Sequence, residues 1–303
     1  MIALLGASGT VGRHVLQAFD GEIRTGSRSS GVDINDDRSL AEFVAGASVV
    51  VNCVGPSHQT AARIAAAAVN AGADHVDAGG ADAVVDPRGR RVVFAAGASP
   101  GLSGLLPRWL APKGSTLTMY CGVLDRFTAA GAEDYLNGVN EPLAAWRSGQ
   151  VKHGALTRLS DVDIPFFEAP VAAFPFMDAE NEAVARSLSL VDGSWYSVIE
   201  GRHLRRALAE RKGLCEASAL DLAGRSPRVT FVSELDGRTA VLRAGSVAEL
   251  TAAVTVAATK AVLRGDVPIG QHRAATVLEP FEGLDITVFD APLSELVVEE
   301  GVL

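Results

Sequence analysis

The chain opens on an unbroken apolar run, Met1-Ile-Ala-Leu-Leu5, followed by a small-residue segment, Gly6-Ala-Ser-Gly-Thr-Val-Gly12. Apolar positions then recur at helical spacing at Val11, Val15, Leu16 and Phe19, which predicts a strand, a tight turn and an amphipathic helix. Residues 22–28 read as a second strand and its exit, and residues 31–36 as a short third strand before a helix over 39–45. The run Ala47-Ser-Val-Val-Val-Asn-Cys-Val54 is nearly continuous in apolar residues, as expected of a strand covered on both faces. Gly55-Pro56 ends it, and Ser57 caps an alanine-rich helix through about Ala71, stopped by Gly72. Residues 75–78 and 91–96 supply further strands. Alternation of this kind predicts an α/β fold built on a doubly wound parallel sheet with right-handed crossovers.

Beyond about residue 115 the rhythm changes. Residues 116–123 are strand-like, a polar stretch with aromatics and prolines covers 126–176, and residues 178–190 and 201–212 look helical. Alternating apolar positions on both sides of Asp236-Gly237 predict a hairpin over 228–243, and a buried or amphipathic helix runs over 246–263. The expected division is a first domain over 1–120 and a second, mixed α/β domain over 121–283 that supplies the substrate pocket. The C-terminal segment 284–303 contains a strand-like run, 284–290, with no assigned place. A sheet in the second domain must cover its exposed face or edge, which makes a homodimer plausible.

The opening segment carries chemistry as well as structure. A turn without bulky side chains lets the backbone of Gly6, Ser8, Gly9, Thr10, Val11 and Gly12 approach a pyrophosphate, and the following helix turns its positive end toward the anion. This is the dinucleotide-binding arrangement of a Rossmann domain, and its place between a strand and a helix separates it from an ordinary glycine turn. The exit of the second strand names the cofactor. An NAD site places an acid there, whereas this chain has Ser27, Arg28 and Ser29. A guanidinium flanked by hydroxyls matches a 2′-phosphate in charge and geometry, so NADPH is expected; the structural alternative is an ordinary surface arginine.

Charge and composition narrow the class. A net charge of −9 argues against general affinity for nucleic acid. No secretory signal precedes the first strand, and no apolar stretch reaches the length of a membrane span, so a cytoplasmic protein without membrane association is expected. The three cysteines, Cys53, Cys121 and Cys215, have neither metal-ligand spacing nor a paired framework. No metal site is expected.

Several segments in this order resemble the saccharopine dehydrogenase-like reductases: Gly6-Ala-Ser-Gly-Thr-Val-Gly12, Val51-Asn-Cys-Val-Gly-Pro56, His75-Val-Asp77 after the helix, and Ala96-Gly-Ala-Ser-Pro-Gly-Leu-Ser103. The resemblance covers roughly the first 110 residues, with a fainter echo at Gly270–Leu278. It implies that Asn52, Val54, Gly55 and Pro56 line the ribose and nicotinamide side of the cofactor. It also implies that Ala96, Gly97 and the residues to Leu102 form the floor where nicotinamide meets substrate. Smaller relatives of this family reduce C=N bonds, including a type that reduces thiazolinyl imines during siderophore assembly. The implied activity is NADPH-dependent reduction of an imine or thiazoline in a small or carrier-protein-tethered substrate.

Such a reduction needs a hydride from the cofactor and a proton for the nitrogen, delivered by a side chain or by water. His58, directly after Gly55-Pro56-Ser57, is the first candidate donor; its alternative is a surface histidine at a helix N-terminus. Asp134, Tyr135 and His153 in the polar stretch follow, each with a plain structural reading. Asp77 at a strand end positions substrate or caps the next turn. Carbonyl reduction of the short-chain type uses a Tyr with a Lys four residues on, but Tyr120, Tyr135 and Tyr196 are followed there by Leu124, Val139 and Glu200. An aspartate-semialdehyde-type enzyme needs a nucleophilic Cys in a loop, and Cys53 falls in an apolar run. An amino-acid or opine-type dehydrogenase and a non-catalytic NADP-sensing regulator complete the alternatives.

Overall fold

The first strand, β1 (Ile2–Leu5), is almost entirely buried and passes through residues 6–9 into α1 (Thr10–Gln17). In this computed structural model, which describes residues 1–111, 113–138 and 143–296, strands and helices go on alternating, without the strand expected at 31–36. The next elements are β2 (Ile23–Gly26), α2 (Asp37–Val44), β3 (Val49–Asn52), α3 (Ser57–Asn70), β4 (Asp74–Asp77), β5 (Arg91–Phe94) and α4 (Leu102–Leu110). All four residues of β3 are buried, as its near-continuous apolar run requires.

The second part of the chain forms β6 (Thr116–Leu124), α5 (Ala129–Gly138), β7 (Ala145–Arg147), β8 (Gln150–Lys152), β9 (Leu159–Val162) and β10 (Val171–Pro175). It continues with α6 (Ala179–Leu188), β11 (Asp192–Ile199), α7 (Arg202–Glu210), α8 (Leu214–Leu222), β12 (Arg228–Leu235) and β13 (Arg238–Ala244). Then come α9 (Val247–Arg264), β14 (Gly270–Arg273), α10 (Ala274–Val277) and β15 (Asp285–Phe289). Among the described residues no helix is long and apolar enough to cross a membrane.

Two compact units result, one of Met1–Leu105 with Ala248–Phe281, the other of Leu106–Val247 with the chain from Glu282. This differs from the division at residue 120 with a second domain running to 283. The helix α9 and the strand β14 return to the first unit, because β14 pairs in parallel with β5 and completes that sheet. Tail residues 297–303 of the segment 284–303 lie outside the described residues.

The first unit holds a six-stranded sheet in the order β2-β1-β3-β4-β5-β14. Every pairing in it is parallel. The chain runs outward from β1 to β2 and then returns past β1 to β3, so the strand order reverses between β1 and β3. Ligands of open α/β sheets bind beyond the carboxyl ends of the strands at such a reversal. One buried cluster gathers Leu5, Leu40, Phe43, Val44, Val50 and Ile64, and another gathers Ala61, Ala65, Val69, Val92 and Phe94.

Residues 31–36 do not form the expected third strand. Gly31 turns left-handed at φ 83°, Asp33 accepts the Asn35 N–H at 2.9 Å, and Asp36 caps α2 by accepting from Arg38 and Ser39. These side chains offer the backbone local partners in place of a sheet ladder. Val32 and Ile34 still pack on the core, and Arg63 of α3 clamps the loop by donating to the carbonyls of Ile34 and Asn35, both at 2.8 Å.

The second unit is a nine-stranded mixed sheet, β15-β13-β12-β6-β11-β10-β9, with β7 and β8 attached beside β11. Only β6 and β11 pair in parallel along that path. The hairpin β12–β13 turns at Asp236 and Gly237 with φ of 50° and 81°, the two positive values of a type I′ turn. The run 284–290 supplies β15, which pairs antiparallel with β13 at the sheet edge.

Candidate functional site

The glycine segment at the carboxyl end of β1 is shaped by close backbone approach. Gly6 sits at φ +79°, donates to the Gly26 carbonyl at 2.9 Å and accepts from the Gly9 N–H at 2.9 Å. A Cβ on Gly6 would lie 2.8 Å from the carbonyl carbon and oxygen of Cys53, and one on Gly12 would collide with the Gly6 carbonyl. Glycine at these two positions is therefore required by the turn and by the seating of α1 against it. No side chain caps α1 at Gly9, so its first-turn N–H groups carry no side-chain acceptor. Arg13 donates to the Ser8 carbonyl at 2.9 Å and lays a guanidinium along the turn, a feature the sequence reading missed. This cradle fits a dinucleotide pyrophosphate: small residues, uncapped N–H groups and the positive end of a helix converge beside the reversal of strand order.

At the exit of β2, Ser27 caps a single helical turn over Arg28–Ser30. Its N–H donates to Ser30 Oγ at 2.8 Å, and its own Oγ lies 2.8 Å from Ser29 Oγ. Arg28 is exposed, and its side chain makes no hydrogen bond or ion pair with another described residue. Its neighbours are committed: Arg24 donates to the carbonyls of Phe43 and Ala45, both at 2.7 Å, and Arg63 holds the 34–37 loop. Since β2 adjoins β1 in the sheet, the Ser27–Ser29 turn and the glycine segment share one edge of the first unit.

The exit of β3 completes that edge. Val54 and Pro56 are half-buried and Gly55 is exposed, while Thr60 Oγ1 donates to the carbonyls of Val54 at 3.1 Å and Pro56 at 3.2 Å. Asn52 does not line a surface. Its side chain is wholly buried, accepts the Val54 N–H at 2.9 Å and donates to Asp77 Oδ2 at 2.7 Å. Asp77, 1% exposed, also accepts the Gly79 N–H at 2.9 Å, so it caps a turn rather than meeting substrate. Burial, and secondarily the charge of Asp77, pushes the Cys53 thiol well above its usual range, which removes it as a ready nucleophile. His58 is exposed in the first turn of α3, with Nε2 3.4 Å from Gln59 Nε2.

Ala96 and Gly97, expected to floor the nicotinamide site, are buried. The exposed residue of that loop is Ser99. The loop is pinned by α9: Thr255 Oγ1 donates to the Ala96 carbonyl at 2.7 Å, and Thr251 Oγ1 accepts the Ala98 N–H at 3.3 Å. Thr255→Val keeps the shape and strands a buried carbonyl. The expected cost is about 1–3 kcal/mol, seen as a thermal midpoint lowered by several degrees with the fold retained. An unchanged midpoint would show that this bond does not brace the loop.

The remaining candidates belong to the second unit. Tyr135 on α5 donates to Ser197 Oγ at 2.9 Å, its ring lies edge-on to Phe127 and stacked on Phe176, and it joins the cluster around Ile199 and Leu204. Burial raises its pKa, partly opposed by the Ser197 bond, so the phenol stays neutral at ordinary pH. Asp134 is half-buried on the same helix, and His153 is exposed in the turn after β8. The structure gathers Asp134 and Tyr135 on one element and leaves His153 on another.

No protein-family model matches this chain, and no curated protein sequence matches it. Among solved structures it is similar to the dehydrogenase MviM from Clostridium difficile at 7% identity, covering 87% of this chain and 90% of that one, with a TM-score of 0.38. It is also similar to the WlbA dehydrogenase from Bordetella pertussis, in complex with NADH and UDP-GlcNAcA, at 10% identity, 88% of each chain and a TM-score of 0.40. GenD2 from gentamicin A biosynthesis, in complex with NAD, matches at 12% identity, 87% of this chain and 86% of that one, and a TM-score of 0.40. Likenesses this distant carry no weight on what the present chain binds or does, so its own geometry must supply the functional reading.

Proposed function

We propose that this chain binds NADPH at the carboxyl edge of its parallel sheet and reduces a C=N bond in a small or carrier-tethered substrate. One observation carries the cofactor: the uncapped glycine cradle beside the β1/β3 reversal, with the uncommitted guanidinium of Arg28 at the adjacent strand exit. The backbone of Gly6–Gly12 holds the pyrophosphate, Ser27, Arg28 and Ser29 hold the 2′-phosphate, and Val54–Pro56 face the ribose and nicotinamide. NADPH, when bound, supplies the hydride that goes to the imine carbon. The protein's part is to orient the substrate and place a proton at the nitrogen, so that the C=N double bond becomes CH–NH. His58, exposed two residues beyond Pro56, is the assigned donor. The choice of C=N over C=O rests on the resemblance to saccharopine dehydrogenase-like reductases, and the thiazoline substrate is its most specific form.

Steady-state oxidation of NADPH with a thiazoline, a cyclic imine and matched ketones tests this reading. Turnover confined to the imines is expected, and His58→Ala is expected to lower it by about 10²–10⁴-fold, the usual range for a positioned general acid. Activity on ketones alone would contradict the bond assignment. NADPH binding without oxidation under every substrate would favour a sensor over an enzyme.

A further inference from the structure

We infer that the buried Asn52–Asp77 pair is a positioning device for the nicotinamide half of the dinucleotide, acting through the Val54–Pro56 loop. This rests on the dinucleotide reading above and assigns a role to residues that never reach the surface. Asn52 and Asp77 are the last residues of neighbouring parallel strands, and they stand directly opposite each other in the register of β3 and β4. One carboxylate serves both strand exits. Asp77 Oδ2 accepts from Asn52 Nδ2 at 2.7 Å while Oδ1 accepts from the Gly79 N–H at 2.9 Å, and Asn52 Oδ1 accepts from the Val54 N–H at 2.9 Å. His75 Nε2 lies 3.4 Å from the same Oδ2, its ring edge-on to Phe94 at 5.8 Å.

The backbone extends the link to a third strand exit, with Ala78 N–H on the Asn52 carbonyl at 3.0 Å and Ala96 N–H on the Asp77 carbonyl at 2.9 Å. A carboxylate 1% exposed in an apolar sheet is costly unless its donors are fixed. A hydrogen-bonded network of this kind admits one geometry, which an apolar pair of the same size would not impose. The side-chain hydrogen bonds end on the Val54 and Gly79 N–H groups, and none of them runs to the Ser27–Ser29 turn or to the glycine cradle, whose Gly6 packs against Cys53 and the Val54 nitrogen. Their first effect therefore falls on the Val54–Pro56 loop and the nicotinamide half it faces.

The test uses the full-length protein and two ligands, NADPH and adenosine 2′,5′-bisphosphate, which lacks the nicotinamide. Asp77→Asn presents one acceptor and one amino group to two donors, so one donor is left unmet. NADPH affinity is expected to fall about 10-fold, as an unmet buried donor would dictate, while the bisphosphate binds within about twofold of wild type. Combining Asn52→Asp with Asp77→Asn reverses the polarity and restores the three side-chain hydrogen bonds. The new amide donates to the new carboxylate, the carboxylate still accepts from Val54, and the amide oxygen accepts from Gly79. This double variant is expected to recover NADPH affinity to within about threefold. Equal weakening of both ligands, no weakening of either, or a double variant that fails to recover would each overturn the inference. If Asp77→Asn does not fold, Asn52→Ala, which leaves the Val54 N–H without its acceptor, takes its place with the same two ligands and the same expected split. A wild-type protein that binds neither ligand would instead remove the dinucleotide reading on which it rests.

Discussion

Arg28→Ala is expected to weaken NADPH binding by about 10- to 10⁴-fold, according to whether one or two bonds are lost, and to leave NADH affinity within about twofold. A guanidinium at a phosphate makes one or two charge-assisted hydrogen bonds worth about 1.5–3 kcal/mol each, and about 1.4 kcal/mol is tenfold in affinity. The side chain has no other partner among the described residues, so its removal leaves no orphaned group behind. Arg28→Lys keeps the charge but loses the planar fork, and an intermediate loss is expected. Fluorescence titration with both nucleotides checks this; equal losses for NADPH and NADH would place the 2′-phosphate elsewhere.

Gly12→Val is expected to be the most damaging single change in the cradle. Any Cβ there meets the Gly6 carbonyl oxygen and carbon and the Ala7 Cα, all backbone atoms that cannot rotate away. The helix must then slide off the turn, at a cost of about 1–3 kcal/mol or more for overpacking, and the N–H groups of its first turn lose their aim. Loss of detectable dinucleotide binding with a lowered thermal midpoint is the expected result. Gly46→Ala is a control: φ there is +72°, but a Cβ would meet nothing within 4 Å. It should cost some stability through backbone strain and leave binding intact. Retained affinity in Gly12→Val would show that the cradle is not the cofactor site.

Of the first sheet, β1, β3 and β5 are legible because they are short, mostly apolar and buried runs bounded by glycine and polar residues. Residues 31–36 misled because Val32 and Ile34 alternate with polar residues as a strand would, while Asp33 and Asp36 draw the backbone into turns. The return of α9 and β14 to the first unit left no local signal. Pairing between Gly270–Arg273 and Arg91–Phe94 spans most of the chain, and only the tertiary structure reveals it. At the site, the sequence places Ser27-Arg28-Ser29 at the exit of the second strand, and that is where the structure has them. Of the Asn52–Asp77 pair only Asn52 stands out in the sequence, as a polar residue ending an otherwise apolar strand, whereas β4 already carries Asp74 and His75. Burial takes Asn52 off the surface it is expected to line and bonds it to Asp77 and the Val54 N–H instead.

The central claim is that the sheet edge built by Gly6–Gly12 and Ser27–Ser29 is an NADPH site. Calorimetric titration of the wild-type chain with NADPH and with NADH addresses it most directly. Saturable one-to-one binding of NADPH at least about 10-fold tighter than NADH is expected, the minimum for one charge-assisted bond to the 2′-phosphate. Equal affinities, or no binding of either nucleotide, would contradict it.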